Sequence, residues 1–431
     1  MAGLPTIPWL AQRDRAPWCR TALAEGVSLE DAVTAVNRDL AGAGTADLAL
    51  VFASASYASD LPRLLPLLQR RLRSRHWLGC LGGGVVGTGR DGVPHEREQQ
   101  PVLSVMLLRL PGADLRPFAI DTTDLPDLDG PAEPWRALIP AISTTNGPGG
   151  TDTATPPSLL VFGDPASPGL ADLISGFDYA WPGAVKLGGV AGQHAAGHGS
   201  LLFGEGEHGD VRSGVVGCLL GGSWRLEAVV AQGCRPIGPV YEVDQAQRNV
   251  VLQLSRGSER NSPVSALQHI LVGLSPEERE QVRHSLFLGV GQSCFGLPSD
   301  GDPQEAFVVR NLIGVDPRNG AVAVAERIRV GQKVQFQLRD GPSSRQEARQ
   351  LLTRQAARSP QPLAGLLFAC LGRGQGLHQR DDGDVSLCRE AFADLPIAGV
   401  FCNGEIAPIG GITHLHGYTA AWGFLVPSTS P

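Results

Sequence analysis

Four residues near the end of the chain sit where buried strands would release them. Arg373 and Gly374 follow the apolar run Leu366 to Leu371, and Asn403 and Glu405 follow Ile397 to Cys402. Each run is short and bounded by turn residues, which predicts a buried strand ending in a Gly turn. Polar groups leaving rigid strands at loops are well placed to hold a ligand. An arginine can clamp a carboxylate through two N–H groups, and a glutamate can take an ammonium. His416, in the phrase Leu415-His416-Gly417-Tyr418-Thr419, joins this set. The same residues could equally hold the turn backbones together, because buried polar groups must be paired.

Other chemistries are weaker in the sequence. Cys402 with His414 or His416 could form a Cys-His nucleophile, and Glu405 with the two histidines could hold a metal, since His-x-His puts both imidazoles on one face of a strand. No third firm ligand is visible, and a buried thiol is the ordinary expectation for Cys370 and Cys402. No catalytic residue, metal or cofactor is therefore assigned. Gly82, Gly84 and Gly87 satisfy G-x-G-x-x-G literally, but a dinucleotide fingerprint needs a helix to start there. Thr88 to Pro94 cannot continue as one. Glycine for close packing, or for close approach of a ligand, is the better reading. It places Gly83, Gly84 and, in a second Gly turn, Lys186 and Gly189 among the candidate ligand-binding residues, with a solvated surface as the alternative for Lys186.

The elements that position these residues repeat. Asp47 to Ser54, a Leu-rich helix from Asp60 to Arg75 and the strand His76 to Leu81 lead into Gly82-Gly83-Gly84. Ser158 to Asp164, a helix over Leu170 to Phe177 and Ala184 to Gly192 repeat the pattern. Gly365 to Phe368, a helix over Asp384 to Phe392 and Gly399 to Gly404 give a third copy. Such repetition suggests internal duplication, with the Gly turns as equivalent places around one shared cleft. Elsewhere Ser28 with Asp31, Ser262-Pro263, Ser275-Pro276 with Glu278, and Ser344 with Glu347 mark helix starts. The expected fold is α/β or α+β, with two domains built from repeated strand-helix-strand units with Gly-rich turns and mixed sheets. Residues 1–20 are expected to be a tail, 21–234 and 235–426 the two domains, 122–157 a mobile acidic and Pro-rich loop, and 427–431 a second tail.

The chain has 431 residues, 42% of them hydrophobic, enough for two or three cores. With 36 basic and 43 acidic side chains, its net charge of −7 argues against a nucleic-acid surface. Only Lys186 and Lys333 are lysines, so the positive charge is almost all arginine. Eight scattered cysteines without a C-x-x-C pair fit reduced thiols in a cytoplasmic protein. No apolar run approaches the ~20 residues of a membrane span, so no membrane insertion is expected.

Cys370-Leu371-Gly372-Arg373-Gly374, Phe401-Cys402-Asn403-Gly404-Glu405-Ile406 and Leu415-His416-Gly417-Tyr418-Thr419 resemble the C-terminal domain of the FIST family of sensory proteins. Arg235 to Tyr241 and Arg310 to Gly314 with Asp316 match it too, and Leu78 to Gly87 resembles the Gly-rich signature of the N-terminal FIST domain. The resemblance spans roughly Asp47 to Phe424. It implies a sensor in intracellular signal transduction that binds a small polar metabolite, amino acids being among the ligands proposed for the family, and signals to a separate partner protein. An enzyme acting through Cys402 or the Glu405, His414 and His416 group, and a ligand-free interaction scaffold, are the alternatives.

Overall fold

The computed structural model describes residues 16–140, 156–192, 194, 197–292 and 307–428. Three six-stranded sheets are each built on one parallel pair: Thr45–Ser54 with Arg73–Gly82, Ser158–Gly163 with Val185–Val190, and Ala364–Cys370 with Ile397–Cys402. These are the three copies expected from the sequence. Each copy has the same order of parts: an outer strand, a helix, the parallel pair around a second helix, a hairpin and a returning strand. The outer strands are Trp18–Glu25, Ala113–Ile120 and Trp224–Ala231, and the returning strands are Val102–Arg109, Val215–Gly222 and Ala420–Pro427. Trp18–Glu25 begins inside the stretch expected to be a tail; pairing with Val102–Arg109 along its whole length orders it.

The hairpins do not stay in their own sheets. Gly84–Thr88 with Pro94–Glu98, from the first copy, extends the sheet of the third. Leu201–Glu205 with His208–Arg212, from the second, extends the first. Gly404–Ile409 with Ile412–His416, from the third, extends the second. The three copies are thus locked by a cyclic exchange of hairpins.

Strand patterning explains the layers. In Thr45–Ser54, Leu48, Leu50 and Phe52 face a central core shared by the three sheets, while Ala49, Val51 and Ala53 face the covering helices. A strand buried on both faces reads as a continuous apolar run. Phe52, Phe162 and Phe368 occupy the same place in the three copies, and their rings meet at centroid distances of 5.8, 6.1 and 5.7 Å. Two helices cover each outer face: Leu29–Asp39 and Leu61–Gln69, Ala132–Ala137 and Leu170–Ala180, and Gly341–Arg358 and Gly383–Ala391. Within the expected loop 122–157, the short helix Ala132–Ala137 seats Trp135, fully buried, over Gly176, where a side-chain carbon would lie 2.2 Å from the indole. Residues 141–155 of that loop lie outside the described residues.

Between the outer strand and the first helix of the third copy the chain makes a separate body. Tyr241–Gln247, Val250–Arg256, Ala321–Val324, Phe307–Asp316, Leu286–Gly291 and Lys333–Arg339 pair in that order, and the last returns to the first. The result is a closed antiparallel barrel with its own core, covered by Pro263–Val272 and Pro276–Ser285. The chain enters this barrel through Cys234–Pro236, which pairs with Lys333–Arg339; the third sheet, by contrast, joins Trp224–Ala231 to Ala420–Pro427 across the expected division at 234/235. The expected caps at Ser28, Ser262 and Ser275 are present. Ser344 and Glu347, however, do not start a helix: Asp340 caps it by accepting from the Ser343 amide, and both residues lie inside it. Among the described residues no helix is long and apolar enough to cross a membrane.

Candidate functional site

The three Gly turns close on one another through a ring of backbone hydrogen bonds. The Gly83 amide donates to Phe401 O (3.1 Å), the Asn403 amide to Val190 O (2.9 Å) and the Gly192 amide to Leu81 O (2.9 Å). Gly83, Gly192 and Asn403 are therefore equivalent, as the repeat predicts, but the join is packed. A side-chain carbon at Gly83 would lie 2.1 Å from the Leu371 side chain, at Gly84 2.8 Å from the Phe401 ring, and at Gly189 2.3 Å from the Cys402 sulfur. Backbone against backbone and side chain, in place of a shared cleft, accounts for small residues here.

Arg373 lies beside this ring and is 0% exposed. Its Nε and Nη2 donate to the two oxygens of Asp384 at 2.9 and 2.6 Å, Nη2 also donates to Ser344 Oγ (3.1 Å), and Nη1 to Tyr418 O (3.4 Å). Burial alone would raise the Asp384 carboxyl, but the Arg373 charge outweighs it and holds Asp384 well below the usual carboxylate range. The guanidinium face that a ligand carboxylate would need is thus filled by Asp384. Gly374 packs against Glu98, which accepts from the Gln375 amide at 2.8 Å. Glu96 accepts the Asp384 and Val385 amides at the start of the helix Gly383–Ala391, both at 2.7 Å. The exchanged hairpin of the first copy is in this way fastened to the third.

Glu405 is 0% exposed, and only one of its oxygens is used. Oε2 accepts from Thr419 N (3.1 Å) and Thr419 Oγ1 (2.7 Å), while Oε1 has no partner among the described residues. Burial pushes its pKa up to about 8 despite the Thr419 donors and the Arg373 and Arg339 charges. In the unfolded chain a glutamate ionises at about 4.3, so between these values the folded state holds the extra proton and stability falls as pH rises. Glu405→Gln should lose less stability than the wild type between pH 5 and 8 in urea melts; parallel pH profiles would show that Glu405 stays ionised in the fold.

His416 is buried, with Nε2 at 3.0 Å from Ala407 O and Nδ1 unpaired among the described residues, and burial lowers its pKa to about 3. Burial, then Arg310, lowers His414 to about 4. Neither imidazole is hydrogen-bonded to Cys402, whose Sγ lies 3.5 Å from Val400 O and whose thiol burial pushes far up. Among the described residues no three His, Cys, Asp or Glu side chains are grouped to hold a metal ion. Lys186 stands apart, 2% exposed, with Nζ 2.7 Å from both Asp178 Oδ1 and Trp181 O. Asp178 also accepts from Thr413 N and Oγ1 (2.7 Å each), so this lysine neither lines a cleft nor reaches solvent; it helps secure another exchanged hairpin.

A ligand-sized hollow of about 390 Å³ lies between the helix Gly341–Arg358, the edge strand Trp224–Ala231 and the turn Pro408–Gly410. Such a volume falls in the range of small-molecule sites. Val229, Leu351 and Ile409 form its apolar wall, and Arg354 and Arg358, one helical turn apart, bring positive charge. Glu347 also lines it and accepts from Gln232 N (3.2 Å) and Gly233 N (2.6 Å). Burial raises this carboxyl, against the pull of those two amides. Gln232 and Gly233 are the residues through which the chain passes to the barrel, and Gln232 also grips Phe307 O (2.7 Å) and Val309 N (2.8 Å) of a barrel strand. Gly233 has φ +71°, which an ordinary side chain resists, and a carbon there would lie 2.8 Å from Arg373 Nη1. Tyr418 holds a left-handed φ of 70° without being glycine; its ring packs on Phe287 of the barrel (4.8 Å) and under Arg339 (4.6 Å). Non-glycine residues held there store about 1–3 kcal/mol and cluster at switching sites.

The sequence reading missed Glu347, Gln232, Arg339 and Tyr418. The only local signal was at Tyr418, within the quoted phrase 415–419; the others join the site through contacts far apart in the chain.

Comparison with known proteins adds the family. The FIST N domain profile matches residues 47–256 and the FIST C domain profile residues 263–408. An uncharacterized protein of Mycobacterium tuberculosis is 33% identical over 413 residues, covering 95% of this chain and 97% of that protein. An uncharacterized protein of Mycobacterium bovis is 32% identical over 418 residues, with the same coverage.

Proposed function

The chain belongs to the FIST family, whose domains are associated with signal transduction and sensing, and we propose that it is a sensory protein binding a small polar metabolite of the amino-acid class in the hollow beside Gly341–Arg358. The observation that supports this reading is that one hollow is lined by Glu347, by Arg354 and Arg358, and by the apolar Val229, Leu351 and Ile409, although Arg358 also reaches Glu227 at 3.5 Å. An α-amino acid matches that order of charges: ammonium toward Glu347, carboxylate toward the arginines, side chain against Val229, Leu351 and Ile409. Arg373 and Glu405 then act behind the ligand, joining the hollow to the barrel through Ser344, Tyr418 and Thr419. Binding would bias the barrel's position only through different affinity for two arrangements, and Gln232-Gly233 is where Glu347 touches the path between the bodies. The output passes to a separate signalling protein, and the protein works in the cytoplasm.

A thermal-shift panel of the common amino acids and short organic acids tests this. A ligand present at 100 times its Kd adds about 2.7 kcal/mol of stability, a rise of several degrees. Glu347→Gln should reduce the shift for amino acids more than for organic acids, and Arg354→Ala should reduce both. If no panel member stabilises the protein, or both variants respond like the wild type, the hollow is not the site and the scaffold reading takes its place.

A further inference from the structure

We propose that Cys370 and Cys402 form a reversible oxidation site that closes to an intramolecular disulfide when the protein meets a hydroperoxide. The two are direct register partners at the last position of the parallel pair Ala364–Cys370 and Ile397–Cys402. Partners in adjacent parallel strands project from the same face. Neighbouring strands run about 4.7–4.9 Å apart, inside the roughly 4.4–6.8 Å that a disulfide spans between Cα atoms. No other two described cysteines are partners in any strand register. The corresponding positions of the first copy are Ser54 and Gly82. Asp164 and Ala191 follow the matching strands of the second. Only the third copy, which carries Arg373 and Glu405, has thiols at this crossing.

The environments divide the roles. Cys370 is partly exposed, and Leu371 after it is 41% exposed, so an oxidant reaches Cys370 first. Cys402, its register partner, is fully buried. The Cys370 sulfur attacks the hydroperoxide: an S–O bond forms, the O–O bond breaks, and the alcohol leaves with the thiol proton. The Cys402 sulfur then attacks the Cys370 sulfenic acid. An S–S bond forms, the S–O bond breaks, and the Cys402 proton leaves with the departing hydroxide as water. Two thiols are oxidised and one hydroperoxide is reduced to alcohol and water. Burial raises both thiols, so the thiolate fraction is small and closure is slow compared with low-pKa redox cysteines. The bond would pin the strand end that carries Arg373, whose amide donates to Cys370 O at 2.8 Å.

The test treats the reduced full-length protein with hydrogen peroxide at pH 8, blocks remaining thiols with N-ethylmaleimide and maps peptides without reduction. The expected result is a Cys370 to Cys402 cross-link, reversed by dithiothreitol. Cys402→Ser should abolish it and leave Cys370 trapped by dimedone as the sulfenic acid. Cys402→Ala serves as the second variant, and each is used only if it melts within a few degrees of the wild type. The proposal is overturned if both thiols remain alkylatable, if the link appears only in urea, or if Cys402 joins Cys80 instead. None of these readouts depends on a ligand in the hollow.

Discussion

Arg373→Ala is expected to destabilise the protein by about 3–5 kcal/mol, the usual loss when one partner of a buried ion pair is removed. Both side chains are 0% exposed, and two parallel N–H to oxygen bonds at 2.9 and 2.6 Å join them. Removing the cation leaves Asp384 charged in the interior beside Glu96, whose own carboxyl burial and then Asp384 push up to about 8. Glu96 already holds a proton at neutral pH at that value, so without Arg373 it is Asp384 that is driven to take one. The variant should unfold at lower urea, and its stability should improve on acidification below pH 6. The wild type behaves oppositely at this pair. Because the folded pKa of Asp384 is depressed, its contribution is present above the unfolded value near 3.9 and is lost as pH falls further. Arg373→Met with Asp384→Asn should recover part of the loss, since no unpaired charge is left behind. A single-variant loss below about 1 kcal/mol, the range of an exposed pair, would mean that Arg373 is not the joint described.

This residue also marks the limit of what the sequence discloses. An arginine after a strand and before a glycine reads as a ligand clamp because local pattern reports where a side chain leaves the sheet, not what it meets. Its partner, Asp384, lies in the first turn of the helix Gly383–Ala391 with no periodic relation to it, and Ser344 comes from a helix that follows the barrel in the chain. The three strand-helix-strand copies were legible because each is a local unit with an apolar run, a helical stretch and a Gly turn. The exchange of hairpins was not, since every hairpin is patterned alike and its destination depends on which sheet edge lies within reach across a one-residue crossing such as Gly83 or Asn403. Barrel closure depends likewise on pairing between Leu286–Gly291 and Lys333–Arg339, which are distant in the chain. Glu347 could be taken for a capping residue from spacing alone, and only the fold carries it to the Gln232 and Gly233 amides.

The same exchange predicts how the molecule fails. Phe52→Ala, Phe162→Ala and Phe368→Ala should each cost about 3–5 kcal/mol, because the rings are fully buried and touch one another where the three sheets meet. Pairs of these substitutions should cost less than the sum of the singles, since the second removes contacts that the first has already lost. Gly79→Ala and Gly399→Ala attack the same region from the backbone: the added carbon would lie 1.8 Å from Val51 O and 1.9 Å from Leu367 O, and neither carbonyl can swing aside without breaking its strand. Each of the three copies lends a hairpin to another, so no copy can keep its sheet once a second has opened. The three-sheet body should therefore unfold in one transition, with tryptophan fluorescence and far-UV circular dichroism coinciding. Trp77, Trp135 and Trp422 are fully buried, one in each copy, and report on all three. If Phe368→Ala melted the third copy while Trp77→Phe and Trp135→Phe controls showed the other two still folded, the hairpins would not be the bonds that make the three copies one body.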